Sequence, residues 1–233
     1  DPEMTVTAIA RFVKLLFEAD GNAKVVSSLT DEYAYKYDMV KLDFLYAACC
    51  LPIHNKTRGQ VMCDAMDFIR DCVGDKMILG CGVPLMPAFG KVDFCRIGAD
   101  VDLTWVRRKN RIREDVSTPN TVNCTVFRRH LNGRAFLNDP DVFLLRDNNM
   151  NMSFKQRELL AKINGYFGSL LFVSDNVEDY SDAQMKVFLN IIKKKDVQIL
   201  RAEFEKKHVI AVECTVNGEK ETFKFNSETG ELC

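Results

Sequence analysis

The chain has 233 residues, 47% of them hydrophobic and 28% charged, and its 32 basic and 33 acidic residues leave a formal net charge of −1. This balance gives no electrostatic case for binding nucleic acid or an anionic membrane surface. No apolar run approaches the roughly 20 residues that a membrane-spanning helix needs, so we expect no membrane segment.

The nine cysteines show no Cys-x-x-Cys motif and no regular spacing, and their number is odd. Several lie inside apolar segments, which is typical of small buried side chains in a reducing compartment. We therefore expect a cytoplasmic protein. Of the three histidines, none is spaced as a ligand beside a cysteine pair, so we expect no metal site and no cofactor.

The first 32 residues contain one amphipathic helical pattern, TAIARFVKLLFEA, and the short apolar run AKVVSSL. DMVKLDF then predicts a strand, and residues 57–73 have the periodicity of a helix that Gly74 ends. KMILGCG and VDFCRIGAD predict the next two strands. Only nine residues, 83–91, separate them, and two prolines among these favour an irregular crossover over a full helix.

The middle of the chain continues the alternation of strands and helices. Thr118-Pro119 predicts the start of a helix that Gly133 ends. AFLNDPDVFLL contains a strand, and GSLLFVSD predicts another. Two Ser-x-x-Gln capping boxes, Ser153–Gln156 and Ser181–Gln184, predict the first turns of two further helices.

After about residue 196 the pattern changes to alternating polar and apolar residues in RAEFE, VIAVECTV and KETFKFN. Asn217-Gly218 is a hairpin signal between the last two of these runs. The order of elements therefore predicts an α/β fold, with a parallel sheet in residues 1–195 and a small antiparallel β region of about three strands in residues 196–233.

Polar residues end nearly every predicted parallel strand. A barrel of parallel strands places its active site at all the strand carboxyl ends, whereas a doubly wound sheet does so only at a switch point. The strand ends therefore favour a TIM-type (β/α)8 architecture. The polar residues at these ends are Asp43, Cys81, Asp100, Asp139 and Asp175.

Two of these strand ends resemble motifs of the α-galactosidase (melibiase) clan of glycoside hydrolases. Lys41-Leu42-Asp43 is similar to the K-x-D strand that carries the nucleophile in that clan, and Arg96-Ile97-Gly98-Ala99-Asp100 to the R-x-x-x-D strand that carries the acid/base. Gly80-Cys81-Gly82 resembles the turn that commonly lies between them. The longer pattern KLDFLYAACCLP…LGCGVPL…RIGADV…FLNDPD…LLFVSD resembles bacterial melibiase-type sequences over roughly residues 33–185.

The resemblance implies a retaining glycosidase that acts on α-galactosides or related α-glycosides, with Asp43 as nucleophile and Asp100 as acid/base. That double displacement needs two carboxylates about 5 to 5.5 Å apart. Lys41 points to the same face of its strand as Asp43, and its charge would hold the carboxylate ionised. The resemblance further implies that Cys81 and Arg96 line a carbohydrate-binding pocket.

Structural alternatives stay open at several of these positions. Asp139 is a candidate for substrate contact, yet NDPD is also a favourable turn. Trp105, the only tryptophan, could stack on a sugar or pack beneath a loop. Cys81 could be a packed small residue, and Asp43 could serve only to pair with Lys41.

An eight-stranded barrel usually takes about 250 residues, and the nucleophile strand, the fourth in this clan, begins here near residue 38. We therefore expect about strands four to eight, as an open arc of roughly five parallel strands, followed by the β appendage. A missing N-terminal region or self-association would cover the open sheet edges. The shortened barrel predicts little turnover by this chain alone.

A second class of function is a non-catalytic carbohydrate-binding or interaction protein derived from a melibiase-type barrel. A metal-dependent barrel hydrolase is less favoured, because the predicted strand ends lack histidines. Turnover of an aryl α-galactoside separates the catalytic hypothesis from the binding hypothesis.

Overall fold

The structure of the protein, a computed structural model, describes residues 38–50, 55–106 and 116–233. The helix expected within residues 1–32 lies outside these ranges. In the described part of the chain, no helix combines the length and the apolar character needed to cross a bilayer. The chain forms two compact units, Asp1–Arg96 and Ile97–Cys233.

The described residues of the first unit form three short parallel strands. They are β1 (Met39–Leu42), β2 (Met77–Gly80) and β3 (Phe94–Arg96). β2 pairs with both of the others, so that Leu42 lies opposite Gly80 and Gly80 lies opposite Cys95. The parallel order predicted from the sequence is confirmed for these strands.

Helix α1 (Arg58–Val73) precedes β2 in the first unit. The Thr57 side chain accepts a hydrogen bond from the Gln60 amide, and the Gln60 side chain accepts one from the Thr57 amide, which completes a capping box. Gly74 ends the helix with φ 65°. The sequence periodicity predicted a buried face that also included Cys72, which is only partly buried in the structure. The buried residues of the helix all belong to that face: Val61, Met62, Ala65, Met66, Ile69 and Val73.

Two 3-10 helices follow the strand ends of this unit. Leu45–Cys49 follows β1, and Met86–Ala88 lies between β2 and β3. No full helix occurs in residues 83–91, as the two prolines and the short length predicted.

The second unit contains helices α2 (Thr118–Phe127), α3 (Phe154–Phe167) and α4 (Asp182–Ile192). Its strands are β4 (Leu137–Asp139), β5 (Val142–Phe143), β6 (Phe172–Val173), β7 (Val197–Lys206), β8 (Val209–Val216), β9 (Glu219–Asn226) and β10 (Glu231–Leu232). β5 and β6 pair in parallel. The four C-terminal strands form an antiparallel sheet in the order β10-β9-β8-β7.

Both predicted capping boxes of this unit are present, at Ser153 with Gln156 and at Ser181 with Gln184. Helix α2, in contrast, ends at Phe127 and not near Gly133. The backbone leaves the α conformation at the next residue, and the 3-10 helix Arg129–Leu131 takes over. Gly133, at φ 70°, therefore ends the 3-10 segment and not the α-helix.

AFLNDPDVFLL forms two short strands, where the sequence predicted one. Pro140 lacks an amide hydrogen, and Asp141 has φ 77°, so the extended backbone is interrupted between β4 and β5. The Asp139 carboxylate closes this turn by accepting a hydrogen bond from the Asp141 amide at 2.9 Å.

The C-terminal sheet has four strands and shares a core with the helices of its unit. Asn217-Gly218 forms the predicted hairpin turn between β8 and β9, with φ 52° and 85°. Val212 and Phe225 of the sheet belong to the same buried cluster as Leu160 of α3 and Trp105. The observed fold is thus α/β, with parallel strands and an antiparallel sheet, and the open barrel arc stays a prediction.

Candidate functional site

Three polar side chains lie at the carboxyl ends of the three parallel strands of the first unit. The strand register continues beyond Leu42, Gly80 and Cys95, so Asp43, Cys81 and Arg96 come next at the carboxyl ends of β1, β2 and β3. Residues at matching positions of neighbouring parallel strands lie side by side on one face. We call these three residues the strand-end row; it brings together three of the residues that the sequence indicated.

The Asp43 carboxylate is exposed and is held on both sides by donors. Its Oδ1 accepts a hydrogen bond from the Phe44 amide at 2.7 Å, and the Cys81 thiol donates a second hydrogen bond to the carboxylate. Lys41, two residues earlier in β1, is also exposed. The structure therefore leaves the Asp43 carboxylate accessible, with one oxygen held by a backbone amide.

The Cys81 thiol is buried, with 4% of its surface exposed. Burial is the main cause that raises the pKa of this thiol, the Asp43 carboxylate beside it acts in the same direction, and the pKa reaches about 12. The positive charges of Arg96 and Lys41 offset only part of this rise. The thiol is therefore neutral near pH 7 and acts as a hydrogen-bond donor to Asp43, not as a nucleophile.

A tight pair of turns fixes the position of Asp43. Phe44 has φ 55°, and Gly82, across from it, has φ 59°. The Tyr46 amide donates to the Gly82 carbonyl at 2.7 Å, and the Cys81 amide donates to the Leu42 carbonyl at 2.8 Å. A Cβ on Gly82 would lie 3.2 Å from the Phe44 Cα and amide nitrogen, so only glycine fits without displacing the turn.

Two aromatic side chains next to Asp43 in the chain are exposed, and the sequence interpretation missed them. Phe44 is 64% and Tyr46 47% exposed. Their ring centroids lie 6.2 Å apart at an interplanar angle of 67°, which is an edge-to-face pair. The sequence does contain a signal for them: both residues come just after the K-x-D motif, close to the proposed nucleophile. Aromatic residues at that place are ordinarily expected to be buried, so their exposure was not predicted.

Asp100 lies in the second unit, on a segment that α2 holds firmly. The Ser117 amide donates to the Asp100 carbonyl at 2.9 Å, and the Thr121 hydroxyl donates to the Ala99 carbonyl at 2.5 Å. A Cβ on Gly98 would approach the Thr121 Cα to 3.1 Å, so this segment packs directly on the helix. The Asp100 side chain is exposed.

Asp139 is fully buried at the end of β4. Its carboxylate accepts from the Asp141 amide, and the Asp141 carboxylate in turn accepts from the Val101 amide at 2.7 Å. Of the two alternatives for Asp139, substrate contact and turn formation, the structure favours the turn, because the carboxylate accepts a hydrogen bond within NDPD and the side chain has no exposed surface.

Trp105 is 1% exposed and packs against the C-terminal sheet. Its Nε1 donates to the Ser227 carbonyl at 2.9 Å, and a Cβ on Gly230 would lie 2.6 Å from the Trp105 Cε2. The ring thus has no exposed face on which a sugar could stack. Of the two alternatives for this residue, the structure favours the packed one.

Asp175 is a buried structural carboxylate. It accepts hydrogen bonds from the Leu145 amide at 2.6 Å and the Tyr180 hydroxyl at 2.7 Å, and it pairs with Arg146 at 3.3 Å. Burial raises the pKa of Tyr180, and the hydrogen bond to Asp175 raises it further. Every oxygen of this strand-end carboxylate is therefore engaged within the protein.

No family model matches this sequence. Solved structures of α-galactosidases are similar to it in fold. A Thermus thermophilus α-galactosidase in complex with p-nitrophenyl α-D-galactopyranoside matches with a TM-score of 0.68 and 21% identity, over 94% of this chain and 40% of that chain. The Thermus enzyme in complex with stachyose gives a TM-score of 0.64 and 22% identity, over 82% and 38%. α-Galactosidase I from Mortierella vinacea matches with a TM-score of 0.60 and 13% identity, over 81% and 52%.

The likeness to these enzymes extends over most of this chain but only 38% to 52% of theirs. At identities of 13% to 22% it shows a shared fold. The chain thus has an α/β fold similar to that of α-galactosidases over about two fifths to one half of their length.

Proposed function

We propose that this chain is the catalytic part of a retaining glycoside hydrolase that acts on α-galactosides or related α-glycosides. Asp43 is the nucleophile and Asp100 the acid/base. The observation that carries the proposal is the strand-end row, because it places an accessible carboxylate between a backbone amide and a neutral thiol at the carboxyl ends of parallel strands. The fold likeness to α-galactosidases supports the proposed substrate class.

The proposed reaction has two displacements. In the first, an oxygen of Asp43 attacks the anomeric carbon, the bond to the leaving oxygen breaks, and Asp100 gives that oxygen its proton. In the second, Asp100 takes a proton from water, the water oxygen attacks the anomeric carbon, and the ester to Asp43 breaks. Two inversions at one carbon give net retention of the α configuration.

The neighbours of Asp43 prepare it for the first step. The Phe44 amide anchors Oδ1, and the side chain is exposed, so a substrate can reach a carboxylate whose position is fixed. The Cys81 thiol donates without competing as a nucleophile, because its raised pKa keeps it protonated. Arg96 is 6% exposed at the end of β3, and its positive charge lowers the pKa of the neighbouring Cys81 thiol without outweighing the effect of burial.

The second candidate function is a non-catalytic carbohydrate-binding module. The exposed edge-to-face pair of Phe44 and Tyr46 favours it, because aromatic faces beside polar groups suit the mixed surface of a sugar ring. Binding of a galactoside without formation of a covalent intermediate would support this candidate.

Covalent trapping distinguishes the two candidates. An α-galactosyl fluoride with a second fluorine on the ring loses fluoride readily and forms an ester that hydrolyses slowly, so that even a poorly active protein accumulates label. We expect one galactosyl group on the peptide that contains Asp43, and none in the Asp43→Asn variant. Asp71→Asn, which changes an exposed aspartate of α1, is the matched control and should label like the wild type. An unlabelled Asp43 peptide, or equal labelling of Asp43→Asn, would contradict the nucleophile assignment.

A further inference from the structure

A second concave site lies in the second unit, on residues that the proposed reaction does not use. It has a volume of about 250 Å³. Its polar lining comes from the 3-10 helix after α2 and from the loop that follows, and its apolar lining from the end of α3 and from β7. We call it the Arg129 pocket; the lining residues used below are Arg129, His130, Asn132, Arg134, Phe167 and Ile199.

The two arginines of this pocket lack carboxylate partners within the described residues. Arg129 donates through Nη1 to the Val126 carbonyl at 2.9 Å, and Arg134 makes no ion pair with any acidic side chain that the structure describes. Partial burial lowers the pKa of Arg129, so its charge is desolvated without a compensating anion. Arg157 and Arg201 in the same unit, in contrast, each pair with a carboxylate.

Asn132 adds an oriented amide to the pocket. Its Oδ1 accepts hydrogen bonds from the Asn138 amide and from the Ser169 hydroxyl, each at 2.8 Å. Because both bonds fall on the oxygen, the orientation of the side chain is fixed and its Nδ2 remains a donor. Nδ2 makes no hydrogen bond to the part of the chain that the structure describes.

The surface beside the pocket is also basic. Tyr166 lines the Arg129 pocket and an adjoining one of about 240 Å³, to which Lys193, Lys194 and Lys195 contribute. These lysines follow the carboxyl end of α4, where they also interact with the helix dipole. Glu221, the acid next to Tyr166, is engaged by the Tyr166 hydroxyl at 2.8 Å and by Lys162.

We propose that the Arg129 pocket binds a tetrahedral oxyanion, as free phosphate or as a phosphate monoester. The planar guanidinium groups of Arg129 and Arg134 present paired donors that match phosphate oxygens. The Asn132 amide and the His130 ring supply further donors. The volume extends beyond one oxyanion over Phe167 and Ile199, which leaves room for the organic part of a monoester.

The histidines provide a direct measurement, because the chain has only three, at 54, 130 and 208. The protein is titrated in turn with inorganic phosphate, glucose 6-phosphate, glucose and sodium chloride, at constant pH and ionic strength. Proton NMR records the imidazole signals in each titration. The His130 signal is assigned by its loss in His130→Gln. We expect a saturable shift of this signal with both phosphates, and none with glucose or sodium chloride. Tighter binding of glucose 6-phosphate would identify a monoester as the ligand, and equal binding would identify the free anion.

Matched variants test the donors. Arg129→Gln and Arg134→Gln should each weaken phosphate binding at least about tenfold, since each removes a charge-assisted bidentate contact. Arg201→Gln, which changes an arginine already paired with Glu203, should bind like the wild type. Arg134 is exposed, so its variant should fold even if that of Arg129 does not. A His130 shift that sodium chloride reproduces, or that survives in Arg134→Gln, would overturn the proposal.

Discussion

At the scale of single residues, the neutral thiol of Cys81 shows how burial determines chemistry. A cysteine between a lysine, an arginine and an aspartate could be a reactive thiolate if the cations dominated. Burial is the largest influence here, the Asp43 carboxylate acts in the same direction, and together they outweigh the two cations and raise the pKa to about 12. The resulting thiol is a donor that supports Asp43.

The pH dependence of alkylation tests this assignment. We expect the rate of iodoacetamide labelling at Cys81 to rise about tenfold per pH unit from pH 8 to 10, because the thiolate fraction stays far below one when the pKa is about 12. The exposed Cys63 is the comparison within the same sample, and its labelling should be faster than that of the buried Cys81 because its sulfur is accessible. Mass spectrometry of the separate peptides gives both rates from one sample.

The Asp43→Asn variant tests how much the negative charge of Asp43 contributes to the raised pKa of Cys81. Removing the carboxylate removes an influence that raises the pKa of Cys81, so the thiolate fraction and the labelling rate at a given pH should increase. A Cys81 labelling rate that levels off between pH 8 and 10 would show that the pKa of this thiol is not raised as described.

At the scale of elements, the turns after β1 and β2 fit together only because Gly82 has no side chain. Phe44 holds a left-handed backbone conformation that costs a bulky residue about 1 to 2 kcal/mol. Gly82 lies close enough to the Phe44 backbone that any Cβ would press on it. Asp43 receives its backbone hydrogen bond from this same Phe44, so the turn geometry and the orientation of the carboxylate are linked.

Gly82→Ala should therefore be more harmful than an alanine at another left-handed glycine. Gly90, at φ 71°, has no heavy atom within 4 Å of an added Cβ, so Gly90→Ala should cost only the backbone penalty, about 1 to 2 kcal/mol. Gly82→Ala should cost about 1 to 3 kcal/mol more, from the contact with Phe44 and Tyr46. Urea denaturation measures both free energies of unfolding. Equal losses would show that the Phe44 turn yields without strain.

The C-terminal sheet offers a parallel test at Trp105. Gly230 has φ 71° and Gly218 has φ 85°, but only at Gly230 would a Cβ collide with the Trp105 ring. Gly230→Ala should lower the free energy of unfolding by about 1 to 3 kcal/mol more than Gly218→Ala. Near-ultraviolet circular dichroism of the single tryptophan should change in Gly230→Ala alone. Identical behaviour of the two variants would contradict the packed position of Trp105.

The elements that local patterns encode were predictable from the sequence, and those that depend on distant contacts were not. The capping boxes at Ser153 and Ser181 and the Asn217-Gly218 hairpin are short-range signals, and all three are present. The packing of Trp105 against Gly230 joins residues far apart in the chain, so no local pattern indicated it. The left-handed Phe44 depends on Gly82, which again lies on another strand end.

At the scale of the whole molecule, the two carboxylates of the proposed mechanism belong to different compact units. Asp43 belongs to the first unit, and its hydrogen bonds come from Phe44 and Cys81 of that unit. Asp100 belongs to the second unit, where Ser117 holds its backbone. The central claim of the proposed function is that these two carboxylates act on one sugar.

The measurement that tests this claim most directly is the distance between the carboxylate oxygens of Asp43 and Asp100 in crystals of the chain soaked with galactose. The double-displacement mechanism predicts a separation of about 5 to 8 Å, with both side chains facing the anomeric carbon. Carboxylates more than ~12 Å apart, or on opposite faces of the parallel strands, would contradict the account, because no single anomeric carbon could then reach both.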